Sequence, residues 1–232
     1  MIYTFWEGKM PSYIMLCLKT WDIQHIDYTV VNYENLHKFT DLDVEKLKSN
    51  RRFALYHIAD IVRAHILRDN GGIWLDADTI LLSNHMPASN MLGIPQNRGG
   101  SIAFLQTEPH TDMYERWSTY QDAIIASLEC DTTWDMVGNA FVDDYTKQHS
   151  EITIEDINKY WPEIAMIPYN IPRKDKYQQF YFDRQYVLSC IEHDSMLMLH
   201  NSWTPEWYKQ LSVNDVLSNN CTMSNILKEV TR

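Results

Sequence analysis

Two aspartates separated by one residue, Asp76 and Asp78, follow the short apolar segment Ile73-Trp74-Leu75. Because alternate side chains of a β-strand share a face, both carboxylates are expected to point to one place just past the strand. Two carboxylates this close repel each other unless a cation lies between them, and hard oxygen ligands suit Mg²⁺ or Mn²⁺. The spacing predicts a divalent-metal site that leaves positions open for phosphate oxygens. The alternative for such a triplet is a solvated turn.

The segment before this strand predicts a helix over residues 53–69, ended by Gly71 and Gly72. Apolar residues recur there at the spacing of one helix face: Leu55, Ile58, Ala59, Val62 and Ile66. Asp60 and Arg63 lie off that face and are three residues apart, which makes them neighbours on the helix surface. They are interpreted either as a solvated ion pair or as groups that contact a nucleotide sugar.

Residues 52–81 resemble the signature of DXD-containing glycosyltransferases of the GT-A fold, in which Asp-X-X-Arg, Tyr-Gly-Gly, a strand and Asp-X-Asp follow one another. The block is similar in particular to bacterial capsular polysaccharide synthesis transferases and their α-mannosyl and α-galactosyl transferase relatives. Residues 2–8 (Ile-Tyr-Thr-Phe-Trp-Glu-Gly) resemble the first strand of that group. Residues 198–203 (Met-Leu-His-Asn-Ser-Trp) resemble its closing His and Ser-Trp elements. Three separate matches in the right order are more specific than one.

On the nucleotide side, the resemblance implies that Thr4 and Trp6 lie beside the nucleotide. Asp60 would contact the base or a sugar hydroxyl, and Arg63 would face the donor diphosphate. The chemistry expected of such a site is stabilisation of the negative charge that grows on the leaving nucleoside diphosphate. Arg63 is therefore predicted to be catalytic as well as donor-binding.

On the metal side, the resemblance implies that Asp76 and Asp78 hold Mn²⁺ or Mg²⁺ and take part in catalysis. His200 is the third predicted ligand, and Ser202 and Trp203 would close the site over the nucleotide. His200 stands only two residues before Ser202, closer than in many relatives. Which of residues 200–202 reaches the metal therefore stays open.

The activity that the resemblance implies is transfer of a hexose from a nucleotide sugar, UDP-linked by family habit, to a glycan or lipid-linked oligosaccharide acceptor. The setting would be synthesis of a bacterial surface polysaccharide, with retention of configuration. Retention requires either a carboxylate nucleophile or attack from the side of the leaving group. No carboxylate is marked as a nucleophile by its spacing, and Asp143 and Asp144 are candidates by residue type only.

Two other functions fit the same residues. In a haloacid-dehalogenase-like phosphatase, Asp76 would be the nucleophile and Asp78 the acid, but that motif normally ends the first strand of its domain. A catalytically inactive sugar-nucleotide-binding protein would keep the same pocket without turnover. Residues 134–139 occupy the place of an acceptor-side Gly-Pro element, with Asn139 at the proline position, and residues 96–101 form a predicted loop near the donor sugar.

Composition narrows the class of protein. The 232 residues are 45% hydrophobic and 22% charged, which indicates a folded domain. The net charge of −11, without a basic stripe, would repel a phosphate backbone and argues against nucleic acid. No segment approaches the roughly 20 apolar residues of a membrane span. We expect a cytoplasmic protein with at most peripheral association with the inner face of the bacterial membrane.

The fold class predicted is α/β, a single GT-A-type domain over residues 1–232 with a mostly parallel sheet covered by helices on both faces. Its nucleotide and metal half would span about residues 1–105 and its acceptor half about 106–232. Strands are predicted at 2–6, 28–32, 73–75, 80–82, 91–94, 102–105 and 197–200. Helices are predicted at 12–22, 44–49, 53–69, 111–128, 134–148 and 213–229. The aromatic residues between 177 and 186 are expected to be core rather than a sugar-stacking surface.

Overall fold

The computed structural model describes residues 1–127 and 133–232. They form two compact units, each built from separate chain segments. The first unit comprises Met1–Gly8, Tyr28–Asp76 and Pro87–Asp156, and the second comprises Lys9–Asp27, Ala77–Met86 and Ile157–Arg232. The prediction of one domain with halves that divide near residue 105 stays a prediction.

The strands of the described residues are β1 (Ile2–Phe5), β2 (Tyr28–Val31), β3 (Gly72–Leu75), β4 (Thr79–Leu81), β5 (Met91–Ile94), β6 (Gly99–Thr107), β7 (Ile154–Asp156) and β8 (Met196–Met198). The helices are α1 (Ser12–Ile23), α2 (Val44–Ser49), α3 (Leu55–Asn70), α4 (Asp112–Ala126), α5 (Asn139–Gln148), α6 (Pro162–Met166), α7 (Arg173–Gln178), α8 (Glu206–Lys209), α9 (Val213–Ser218) and α10 (Thr222–Val230).

The first unit is organised around a six-stranded sheet in the order β2-β1-β3-β6-β5-β7. The pairs β1–β2, β1–β3 and β5–β7 are parallel, whereas β6 runs antiparallel to both β3 and β5. The predicted α/β class with a mainly parallel sheet is confirmed. Because β1 and β3 run in parallel with Tyr3 opposite Trp74, the residues that follow these two strands lie at the same edge of the sheet.

Strand β6 runs antiparallel to β5 because the connection between the two strands is short. This connection contains a short 3₁₀ turn at Pro95–Asn97, and Arg98 has a positive φ of 53°. A loop this short reverses the chain into an antiparallel neighbour rather than a crossover. The predicted loop at residues 96–101 therefore ends at Arg98, and Gly99 already begins β6.

Helix α3 is confirmed, but its surroundings differ from the expectation. It packs against β1, β3 and α4, and residues 60–67 are all buried. The interpretation of Asp60 and Arg63 as a solvated ion pair is therefore wrong, because both side chains are buried against other residues of the first unit. At the end of α3, Gly71 has a φ of 62°, and a Cβ there would lie 2.6 Å from the nitrogen of Pro109.

Two predicted helices differ from the structure in their extent. The helix predicted at 134–148 begins only at Asn139, because residues 134–138 form a turn in which Gly138 N–H bonds to the Asp135 carbonyl. The helix predicted at 213–229 is interrupted between α9 and α10. The last residues predicted for the helix at 111–128 include Leu128, which lies outside the described residues.

The second unit pairs β4 with β8 in an antiparallel ladder in which Thr79 lies opposite Met198. Its interior is rich in aromatic side chains. Tyr177, Phe180 and Tyr181 are fully buried, so the core assignment is confirmed for them. In the described part of the chain, no helix combines the length and the apolar character needed to cross a bilayer.

Candidate active site

Asp76 follows β3 in the first unit and is fixed by three contacts. Its backbone N–H donates to the carbonyl of Ala103 over 3.0 Å. Its Oδ1 accepts from Arg63 Nη2 and from Trp74 Nε1, both at 2.9 Å. Trp74 and Asp76 lie two residues apart, so their side chains share one face of the chain. The two hydrogen bonds to Oδ1 therefore orient the carboxylate of Asp76. Its side chain remains 33% exposed.

Arg63 projects from α3 and is buried, with only 4% of its side chain exposed. Its Nη1 donates to the carbonyl of Ile102, and its guanidinium centre lies 4.8 Å from the Trp74 ring centroid. Its Nη2 lies 3.5 Å from Asp60 Oδ1 in addition to the bond with Asp76. The positive charge of Arg63 is thus balanced by two carboxylates of the protein.

Asp60 lies one turn before Arg63 on α3 and is 9% exposed. Burial raises the pKa of Asp60 to about 7. The positive charge of Arg63 opposes this rise, and the negative charge of Asp76 adds to it. Gly138 packs directly on this carboxylate, because a Cβ there would lie 2.4 Å from Asp60 Oδ2. The turn before α5 therefore depends on Gly138, the glycine of the predicted acceptor-side element, which the structure places against Asp60.

Thr4 and Trp6 lie in the first unit, on β1 and just after it. Thr4 is 1% exposed, and neither its Oγ1 nor the buried Trp6 Nε1 has a hydrogen-bond partner among the described residues. Buried polar groups without partners are uncommon in native folds and call for an unseen partner. Trp6 follows β1 at the sheet edge where Asp76 follows β3.

In the second unit, the β4–β8 ladder brings the C-terminal motif against Asp78. Leu199 N–H donates to the Asp78 carbonyl over 2.9 Å, and Asn201 N–H donates to Asp78 Oδ2 over 2.7 Å. The Asn201 side chain is held in turn, since its Oδ1 accepts from the Tyr13 hydroxyl over 2.6 Å. Two motifs far apart in sequence therefore meet within this unit.

His200 is held by Arg173, a residue that the sequence did not single out. Arg173 Nη2 lies 2.8 Å from His200 Nε2, and because arginine can only donate, this ring nitrogen is the acceptor. The His200 ring is therefore neutral with its proton on Nδ1. Burial lowers the pKa of His200 to about 3, and the Arg173 charge adds to this effect. Its role as a metal ligand stays a prediction, since Nε2 would have to exchange Arg173 for the ion.

Trp203 packs against His200 in a tilted arrangement, with ring centroids 3.9 Å apart. Tyr177 supports the same loop, because its hydroxyl accepts from His200 N–H over 3.3 Å and bonds Thr204 Oγ1 over 2.9 Å. Ser202 is exposed. These contacts hold His200, Trp203 and Thr204, the residues on either side of the exposed Ser202.

Asp76 and Asp78 are the residues that could hold a hard divalent cation. One oxygen of each carboxylate accepts hydrogen bonds from N–H donors, and these bonds orient both carboxylates. No cluster of three or more His, Cys, Asp or Glu side chains suited to a metal occurs within residues 1–127 and 133–232. Asp76 belongs to the first unit and Asp78 to the second, so a metal site shared by the two carboxylates stays a prediction.

Comparison with known proteins places the sequence in a family. A family model described as capsular polysaccharide synthesis protein matches residues 1–217. Among solved structures, the chain is similar to one titled PaToxG glycosyltransferase, with 12% identity and a TM-score of 0.43 over 99% of this chain and 84% of that one. The search of curated proteins found no match.

Proposed function

Since the chain belongs to the capsular polysaccharide synthesis protein family, we propose that it is a metal-dependent glycosyltransferase. It would move a hexose from a nucleotide sugar, UDP-linked in the first instance, to a glycan or lipid-linked oligosaccharide acceptor of a bacterial surface polysaccharide. The family match over residues 1–217 is the observation that carries this proposal.

The geometry around Asp76 supports a metal-dependent reaction. A carboxylate that only balanced Arg63 could be fully buried, but this one is 33% exposed and has its Oδ1 fixed by two donors. We propose that Asp76 and Asp78, two residues apart in the chain, are the protein ligands of Mn²⁺ or Mg²⁺. When bound, such an ion supplies Lewis-acid stabilisation of the departing diphosphate.

The chain's own groups have separate tasks in this reaction. Arg63 orients Asp76, because its guanidinium is held between that carboxylate and the Ile102 carbonyl. Thr4 Oγ1 and Trp6 Nε1 offer unpaired polar atoms for the nucleotide. Asp60 can accept a hydrogen bond from a sugar hydroxyl, or donate one when protonated, since its pKa lies near 7. Trp203 and Ser202 would close over the nucleotide.

Retention of configuration is part of the proposal, by attack from the leaving-group side. The two acids named for the nucleophilic route already have structural partners. Asp143 Oδ1 accepts from Gly100 N–H over 2.8 Å, and Asp144 Oδ2 accepts from Gln148 Nε2 over 3.3 Å. The Asp143 contact joins α5 to β6, and the Asp144 contact lies within α5. These structural roles favour the route without a carboxylate nucleophile.

The phosphatase alternative has less support. Asp76 follows the third strand of the chain, whereas the phosphatase motif follows the first. The inactive binding protein keeps the same contacts and differs only in turnover. Cytoplasmic location and peripheral contact with the membrane remain part of the proposal, since an acceptor on a lipid carrier would be met at the membrane face.

The proposal is tested by thermal unfolding with UDP, GDP or ADP, each with and without Mn²⁺. A nucleoside diphosphate is expected to raise the melting temperature, and Asp78→Asn should remove the Mn²⁺-dependent part. Asp183→Asn, which changes an exposed aspartate of the second unit, is the matched control. No shift with any nucleotide and metal would overturn the proposal.

Turnover separates the three functions. Slow Mn²⁺-dependent hydrolysis of UDP-glucose or UDP-galactose is expected of the transferase when acceptor is absent. Binding without any hydrolysis or transfer would favour the inactive protein. Release of inorganic phosphate from sugar phosphates, with no nucleotide requirement, would favour the phosphatase.

A further inference from the structure

Arg173 is an arginine whose positive charge has no carboxylate partner among the described residues. Its hydrogen bond goes to a neutral ring nitrogen, His200 Nε2, at 2.8 Å. Glu163 is the acid that influences it electrostatically, but neither oxygen of Glu163 has a hydrogen-bond partner in the described chain. Charged arginines in folds are normally paired, so this one is poised for an anion that the protein does not supply.

The other site arginine shows the contrast. Arg63, which the sequence predicts to face the diphosphate, lies against both Asp76 and Asp60 and is 4% exposed. Binding a phosphate there would require it to give up a carboxylate. Arg173 is half-buried and would give up none.

Aromatic rings hold the Arg173 guanidinium in one orientation. Its central carbon lies 3.2 Å from the Trp161 ring centroid and 5.3 Å from that of Trp203. Stacking on the rings leaves the N–H edge of the guanidinium available for hydrogen bonds in its plane. A pre-oriented planar fork is the arrangement that suits phosphate oxygens.

Arg173 and Asp78 both contact one loop of the second unit. Arg173 bonds His200, and the next residue, Asn201, donates its N–H to Asp78 Oδ2 over 2.7 Å. The cation and the carboxylate are thus fixed to adjacent residues of one loop. A metal-bound phosphate needs such a pair, because the acid holds the metal and the arginine meets a phosphate oxygen.

We propose that Arg173 binds the diphosphate of the nucleotide donor, next to Asp78. This inference rests on the proposed function. It names the arginine that contacts the diphosphate as negative charge grows on it. Arg63 then acts as a positioning residue for Asp76. With a net charge of −11 on the chain, a local unpaired cation is what draws a polyanionic ligand to this loop.

The test is calorimetric titration of UDP, GDP and their nucleosides, with Mn²⁺ present, into the full chain. Arg173→Gln is expected to weaken nucleoside diphosphate binding by about tenfold or more, as for one lost charge-assisted hydrogen bond. Affinity for the nucleoside should not change. Lys174→Gln removes an exposed positive charge from the next position of α7 and should change neither affinity by more than about twofold.

Glu163→Gln separates anion binding from a structural role. If the charge of Arg173 serves only to balance the buried Glu163, then Arg173→Gln will lower stability and leave nucleotide affinity unchanged, which overturns the inference. Glu163→Gln should keep nucleoside diphosphate affinity at or above the wild-type value. If Glu163→Gln lost as much nucleoside diphosphate affinity as Arg173→Gln, the inference would also be overturned.

Folding of the variants is checked by circular dichroism and thermal unfolding. Should Arg173→Gln not fold, Arg173→Lys decides, since it keeps the charge but loses the planar fork. A loss of about threefold or more for the diphosphate alone supports the inference, and unchanged affinity overturns it. If the wild-type chain binds neither UDP nor GDP, the proposed function and this inference both fail.

Discussion

The backbone N–H of Asn201 donates to Oδ2 of Asp78 over 2.7 Å, across a separation of 123 residues in the chain. This hydrogen bond joins Asp78 to the C-terminal motif within the second unit. The backbone of Asn201 thus orients the Asp78 carboxylate. The side chain of Asn201 has a different partner, since its Oδ1 accepts from the Tyr13 hydroxyl over 2.6 Å.

Asn201→Ala is expected to keep the Mn²⁺ response, because the N–H that meets Asp78 is retained. Loss of the Tyr13 hydrogen bond should lower the free energy of unfolding by about 1 kcal/mol. Urea unfolding measures the stability, and thermal shift with UDP and Mn²⁺ measures the response. Tyr13→Phe is the matched variant, and the double variant should cost less than the sum of the two. Loss of the Mn²⁺ response in Asn201→Ala would identify its side chain as a metal ligand.

Arg63→Ala is expected to lower the free energy of unfolding by about 3–5 kcal/mol, because it leaves two carboxylates and the Ile102 carbonyl without their donor. Arg116→Ala is the control. Arg116 is 64% exposed and pairs with Asp112, so its loss should cost under about 1 kcal/mol. Equal costs in urea unfolding would contradict the assignment of Arg63 to a buried network.

Asp60→Asn should change how stability depends on pH. The folded-state pKa of about 7 lies above the unfolded value, so the folded chain binds more protons between these two values. Ionisation of Asp60 therefore destabilises the fold as the pH rises from about 4 to about 7. The variant should gain stability relative to wild type over this window and keep the gain at higher pH. A difference that does not vary with pH in urea unfolding would refute this.

Gly138→Ala is expected to destabilise the first unit by about 1–3 kcal/mol through overpacking. The new Cβ would lie 2.4 Å from Asp60 Oδ2 and 2.7 Å from Ile102 Cδ1. Combining it with Asp60→Ala removes the closer obstacle, so the same change should cost less in that background. An equal cost in both backgrounds, measured by thermal unfolding, would show that the contact with Asp60 does not matter.

Several features of the site were accessible to sequence reasoning. Trp74 could have been added to it, because a residue two positions before Asp76 shares its face on a strand. Arg173 could not, since Pro172-Arg173-Lys174 carries no pattern that sets this arginine apart. The turn before α5 was predicted as helix because propensity does not register a glycine held against a carboxylate.

Periodicity and turn chemistry are local properties of the chain, and they were enough to predict helix α3, the glycine stop, strand β3 and the acidic triplet after it. The pairing of the charged groups could be read only from the three-dimensional fold. Burial of α3 commits Arg63 to Asp76, and the ladder between β4 and β8 carries Asn201 to Asp78. Such pairings depend on which distant strands become neighbours and on which groups leave water, and neither is encoded in residue spacing.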